Sequence, residues 1–375
     1  MLQVTFNLTD MIPLKKITST LERLAPLSYQ ESYDNAGLQV GNPRMEVTGI
    51  LITLDVTEAV LEEAERLGFN LVLSHHPVIF GTLKSITGKN AVERILTSAI
   101  RKEIAIYSAH TNLDAVLGGV NSAMADRLGL VNQRILAPME GVLKKLVVFV
   151  PHEHVDEVRN AMFEAGAGVI GEYDRCSFNL EGKGTFRGSE GTDPYVGTPG
   201  ETHQEPEIRV ETIGPGHLAG RVVKSMIAAH PYEEVAYDLY PLENSFDRAG
   251  MGMLGELEHP MDEEVFMGFV KDRFHCGLIR HSALLGKPVK KVALCGGAGS
   301  FLMGKALAAG ADVFVTGDCK YHQFFDADGR LVVMDIGHFE SEQFTRDLFY
   351  DLLTKKFPKF AIRLSETDTN PIKYF

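Results

Sequence analysis

The sequence has no paired cysteines. Cys176, Cys276, Cys295 and Cys319 are its only four, widely separated and with no Cys-x-x-Cys spacing. That argues against a zinc knuckle or a disulfide framework and predicts buried thiols in a reducing compartment. An apolar run of about 18 residues, the length a membrane-crossing helix needs, is also missing. Met1–Phe6 has no basic stretch followed by an apolar core, so a soluble, cytoplasmic protein is expected, with no membrane partner. Positive charge is in short supply too: 37 Lys and Arg against 50 Asp and Glu leave a net charge of -13. No local basic patch offsets it, which disfavours nucleic acid as a partner. What remains is the composition of an ordinary globular chain, 45% apolar and 23% charged over 375 residues, enough for two or three domains.

Hydrophobic periodicity predicts a first helix over 10–25, with Met11, Ile12, Leu14, Ile17, Leu21 and Leu24 at helical spacing and Pro26 closing it. The loop Tyr33–Gly41 carries Asp34 and Asn35. These side chains favour turns and hydrogen-bond ligands, so they are candidate substrate-binding residues, with ordinary turn chemistry as the competing reading. A buried strand over 49–55, a Thr-capped helix over 57–67 and a strand over 71–74 form a βαβ unit that stops at His75-His76 before Pro77. A helix over 90–101 and a strand over 104–108 then lead into His110-x-x-x-Asp114.

From Leu143 the pattern changes. Strands are expected over 145–151, 208–211 and 235–240, helices over 155–165 and 218–230, and alternating segments near Cys176, Ser177 and Phe178. The Gly- and Thr-rich stretch 182–206 reads as a flexible hairpin or loop. The order βαββαβ is that of a ferredoxin-like module. An inserted α+β domain at 144–246 would then split an α/β domain made of 1–143 and 247–375. In the second part, strands over 252–256, 292–295, 313–316 and 331–334 alternate with helices over 262–273, 301–309 and 340–356.

The α/β domain contains an internal repeat. Gly68–His76 aligns without gaps on Gly310–Asp318, and the next strand of each half runs into a matched pair, His110-x-x-x-Asp114 and His338-x-x-x-Glu342. Two pseudo-symmetric halves would bring these strand ends to one crevice, where open α/β sheets place their sites. Adjacent histidines serve two ions more easily than one, and imidazole with carboxylate suits zinc first, with iron or manganese as alternatives. The candidate ligands of two divalent ions are therefore His75, His76, Asp114, His338 and Glu342, with a carboxylate bridging. His110 is a sixth ligand or a proton donor beside them. Singly, each pair has a bland reading as a helix-surface contact or a turn before proline; their coincidence at corresponding strand ends favours the metal site. Asp318 and His322 reach the same crevice by this argument, with helix capping and packing as their competing readings. His152, His154, His203, His217 and His230 lack partners at ligand spacing. Gly296–Ser300 sits where an anion-binding turn would, without the spacing of a nucleotide fingerprint.

Ser74–Pro77, the loop Asp34–Gly41, Ala109–Asp114 and Gly337–Glu342 together resemble the Nif-three-like dinuclear metal family, whose bacterial members are called GTP cyclohydrolase I type 2 homologues. The resemblance covers about 1–140 and 250–375, and its five ligand positions match without departure. It implies a toroidal homohexamer with dinuclear sites facing an internal cavity. It also implies an insert similar to trimeric ferredoxin-like signalling and metal-tolerance proteins. The activity implied is hydrolytic ring opening of a GTP-like substrate by a water shared between metals. Two readings compete with this enzyme. One is a non-enzymatic metal-binding, delivery or regulatory hexamer whose insert senses a small molecule. The other, lowest, is a transcription-related interaction protein, for which the chain offers no recognition helix or basic stripe.

Overall fold

Thr57 and Asn90 start helices by the same device. Each side-chain oxygen accepts a backbone N–H three residues on, from Val60 and Glu93 respectively, and the helices Glu58–Leu67 and Ala91–Arg101 begin there. They connect the strands Ile50–Thr53, Leu71–Ser74 and Ala105–Ser108, which lie side by side in parallel with every residue buried. Crossover helices and two-sided burial are what a parallel sheet of β-branched and aliphatic residues requires. Ile362–Leu364 extends one edge in parallel, and Gly37–Val40 closes the other antiparallel.

The computed structural model describes residues 11–374. The chain divides into two units, cut between Pro138 and Met139 and again between Asp247 and Arg248. The unit that includes both chain ends repeats its three-strand theme. Val289–Leu294, Val313–Thr316 and Val332–Asp335 are again parallel neighbours. Arg280–His281 pairs antiparallel at one edge, Phe246–Met261 antiparallel at the other, and Val131–Met139 lies beyond it. The correspondence extends to the turns before the middle strands: Gly68 and Gly310 both take left-handed backbone, φ +72° and +68°, which a residue with a Cβ adopts at a cost. Separate apolar cores form under the two sheets, one around Leu51, Val72 and Leu96, the other around Phe266, Val292 and Met334.

Several boundaries differ from the sequence expectation. The first helix is Leu14–Leu24; Ile12–Pro13 instead pairs antiparallel with Glu46–Val47, and residue 10 lies outside the described residues. The helix expected over 340–356 is two pieces, the single turn His338–Glu342 and then Thr345–Lys356. The segment expected as a helix over 301–309 starts as a tight 3-10 turn, with Met303–Ala308 helical. The edge strands Gly37–Val40, Val131–Met139 and Ile362–Leu364 carry too little alternation to be recognised without their partners.

The second unit has four antiparallel strands in the order Tyr237–Leu242, Leu143–Pro151, His203–Pro215, Phe178–Phe186. Helices Val155–Glu164 and Ala219–Ala229 cover one face, where Val158, Met162, Val222 and Met226 pack on Val148, Val150 and Val210. The hairpin or loop expected over 182–206 is the connection of an antiparallel pair, with 182–186 and 203–206 in its two strands. Phe186 pairs with His203 and the ladder continues through Glu207 opposite Gly182, so only the segment between Phe186 and His203 lies outside the strands. Backbone pairing overrides the low strand propensity of the glycines.

Candidate metal centre

Pro77 ends the strand Leu71–Ser74, and the two histidines before it are held in different ways. His75, fully buried, donates its Nδ1–H to the Ala109 carbonyl at 2.8 Å. His76 donates its Nδ1–H to Asp55 Oδ1 at 2.8 Å, just past the end of the neighbouring strand. Both arrangements fix the tautomer and turn Nε2 towards the crevice. From the second half, the one-turn helix His338–Glu342 places its first and last side chains on one face, as a spacing of four residues demands. Asp318 accepts the Nδ1–H of His338 at 2.8 Å.

The Nε2 atoms converge on one carboxylate. Glu342 Oε2 is 2.9 Å from His76 Nε2, 3.1 Å from His338 Nε2 and 3.7 Å from His75 Nε2. His75 Nε2 also faces Asp114 Oδ1 across 3.7 Å. That gap is too long for a hydrogen bond. Both atoms are buried without a hydrogen-bond partner among the described residues, an expensive condition unless something else binds them. Three overlapping groups have ligand atoms within 4.8 Å of one another: His75, Asp114 and Glu342; His76, His338 and Glu342; and His75, His76 and His110. This donor set fits a metal ion.

The electrostatics agree. Burial acts to lower the pKa of His76, but Asp55 and Glu342 outweigh it and carry the imidazole to about 9. Burial is likewise overcome at His338, where Glu342 and Asp318 raise it to about 11. Glu342, although buried, is held well below the carboxylate range by His75 and His338. Burial and the Glu342 charge push Asp114 well up, and burial lowers His75. The pocket thus holds more negative charge than its neutral imidazoles can balance. Protons supply the difference, and a divalent cation can replace them.

The remaining candidates separate. His110 donates its Nδ1–H to Asp34 Oδ1 at 2.7 Å, and Asp34 also accepts the Thr111 N–H at 3.0 Å. Burial opposes ionisation of Asp34, yet the His110 and Thr111 hydrogen bonds hold it at about 2. Asp34 therefore orients His110. Asn35 spends its side-chain amide on the Ile79 carbonyl at 2.9 Å. Asp318, for which capping competed, holds His338 instead. His322 lies against Tyr321 and Phe325, outside the three ligand groups. The amides of the glycine turn are already engaged, Gly296 N–H on Asn121 Oδ1 and Gly297 N–H on Ser341 Oγ, and a Cβ on Gly297 would come within 2.4 Å of Glu342 Oε1. That turn makes room for a carboxylate, and the Gly299 N–H is likewise taken, by Thr316 Oγ1 at 3.0 Å. Sequence reasoning missed Asp55, which carries no spacing signal and is identified only by its place at the end of the strand beside His76.

Comparison with known proteins identifies the family of the chain. The Duf34/NIF3 (NGG1p interacting factor 3) family profile matches residues 12–371. A protein of Halalkalibacterium halodurans named GTP cyclohydrolase 1 type 2 homolog is 46% identical over 325 residues, 86% of this chain and 87% of its own. A Bacillus subtilis protein of the same name is 40% identical over 366 residues, 96% and 98% of the two chains. The crystal structure of a Bacillus cereus protein related to NIF3 superposes with a TM-score of 0.84 at 40% identity, covering 96% of this chain and 99% of that one. The chain belongs to the Duf34/NIF3 family.

Proposed function

We propose that this protein is a dinuclear metal-dependent hydrolase acting on a nucleotide-like substrate with a planar ring, by ring opening of the GTP cyclohydrolase type. The observation that carries the reading is the sharing of Glu342. One ion would take His75, Asp114 and Glu342, the other His76, His338 and Glu342, with the glutamate bridging. Two divalent cations, zinc first among them, would supply Lewis acidity and lower the pKa of a coordinated water.

The chain's own residues do the rest. Asp34 fixes the tautomer of His110, so that His110 Nε2 is the atom that takes a proton from the attacking water and returns it to the leaving nitrogen. Phe80 stands edge-on to His110 with ring centres 6.1 Å apart, and Tyr33 lies 6.3 Å from Phe80. Both rings are 62% exposed. Exposed aromatic faces beside the proton-transfer histidine suit stacking of a flat base.

The reading extends to a cytoplasmic homohexamer, in which the exposed rings of Tyr321 and Phe325 on the first unit would be covered by another copy. A second reading, a regulatory metal-binding assembly, draws support from a cavity in the inserted unit that hydrolysis does not use. Protein loaded with zinc, manganese or iron and given GTP and a nucleotide panel decides between them. Turnover that Glu342→Gln abolishes without unfolding the protein is expected. A metal-replete protein that turns over no member of the panel overturns the enzyme.

A further inference from the structure

The strand Phe178–Phe186 carries glycine at 182 and at 184, two successive positions on one face. Glycine weakens a strand, and its presence in one marks a place where something else needs the room. The face is not the one the helices cover. Ile208 and Val210 point into the helix-covered core, so Glu207 and Arg209 of the same strand point the other way, and Gly182 stands directly opposite Glu207. A Cβ on Gly182 would meet nothing within 4 Å, whereas one on Gly184 would lie 2.1 Å from Glu207 Oε2.

Above these glycines is a cavity of about 690 Å³, within the range of small-molecule sites. One wall is aromatic: the Tyr195 and Phe186 rings lie 6.1 and 6.3 Å from Tyr232. Two polar groups converge on it. Glu207, 7% exposed, accepts the Tyr232 hydroxyl through Oε1 at 2.8 Å, which leaves Oε2, beside Gly184, to accept. Arg209 binds Glu211 through Nη2 at 2.9 Å, while its buried Nε–H finds no acceptor among the described residues. Among the lining residues Glu181, Glu207, Glu233 and Glu234 offset Lys183, Arg187 and Arg209, so the site does not call for a polyanion.

We propose that this cavity binds a small, uncharged heteroaromatic molecule with a ring N–H next to a carbonyl oxygen. The ring lies against Phe186, Tyr195 and Tyr232, its N–H donates to Glu207 Oε2, and its carbonyl accepts from the Arg209 guanidinium. This site is separate from the metal centre and does not rest on the hydrolase reading.

Uracil, hypoxanthine and 2-pyridone, with phenol and indole as rings lacking the donor–carbonyl pair, are titrated into the full-length protein by calorimetry and ligand-observed NMR. At least one of the first three is expected to bind saturably, one per chain, and at least tenfold tighter than phenol or indole. Gly182→Trp, which fills open space, should abolish binding. Arg209→Met should weaken it at least tenfold with the circular dichroism spectrum unchanged. His338→Ala, at the metal centre, should leave it unaltered. The proposal is overturned if no heterocycle binds, if binding survives in folded Gly182→Trp or Arg209→Met protein, if His338→Ala removes it, or if phenol and indole bind as well.

Discussion

Asp318 and His338 are 20 residues apart, and their 2.8 Å hydrogen bond aims the imidazole Nε2 at Glu342. Asp55 does the same for His76 and Asp34 for His110, so three imidazoles of the cluster rest on carboxylates. Such outer partners tune metal affinity without touching the metal. Asp318→Asn and Asp55→Asn are therefore expected to weaken zinc binding roughly 10–100-fold with little change in fold. Competition titration against a chelating dye measures it; unchanged affinity in both variants would show that the carboxylates do not orient the ligands.

The two adjacent histidines are expected to fail differently. His75 groups with Asp114, His76 with His338, and Glu342 belongs to both. His75→Ala should lose mainly one ion, His76→Ala the other, and Glu342→Gln both. Elemental analysis of the dialysed proteins, alongside the circular dichroism spectra, checks the pattern. Equal loss of both ions in each histidine variant would mean a single centre.

Metal and protons compete for His76 and His338. Their pKa values lie above the ordinary histidine value, at about 9 and about 11. In the cation-free protein the stabilisation they give is complete below the unfolded value of about 6.5 and is lost as pH rises through the folded values. The cation-bound protein depends on the unprotonated rings and gains with pH. The rise in melting temperature on adding zinc should thus grow between pH 6.5 and 9, and binding at pH 7 should release protons to the buffer. Calorimetry in buffers of differing ionisation enthalpy reads the release, and a zinc effect independent of pH would exclude these two rings as ligands.

Much of this was legible in the chain because strand ends announce themselves. Leu71–Ser74 and Val313–Thr316 are short apolar runs, each preceded by a glycine in a left-handed turn, and the residues at their ends fall at matched positions. His75, His76, His110, Asp114, His338 and Glu342 could be gathered on that basis. Asp55 could not, because its role depends on the register of Ile50–Thr53 against Leu71–Ser74, which local pattern leaves free. The role of Asp34 was equally hidden, its contact with His110 spanning 76 positions. In the stretch 182–206 composition signalled a hairpin or loop, and the pairing of its ends, Phe186 opposite His203 onwards, settles it as a hairpin.

Gly297 offers the sharpest test of how the bridging carboxylate is positioned. Its backbone is left-handed, φ +59°, and an added Cβ would fall 2.4 Å from Glu342 Oε1 and 3.3 Å from His338 Cε1. Alanine there would cost roughly 1–2 kcal/mol for the backbone alone, a loss that a domain of this size tolerates. The carboxylate, at the end of a side chain, would move before the backbone does. Gly297→Ala should therefore fold with a modestly lower melting temperature yet bind both ions much more weakly. Gly310→Ala supplies the control, since it has nearly the same left-handed strain, φ +68°, and open space at its Cβ. It should lose comparable stability and keep its metal. If the two variants lose metal equally, the loss reflects backbone strain and not displacement of Glu342.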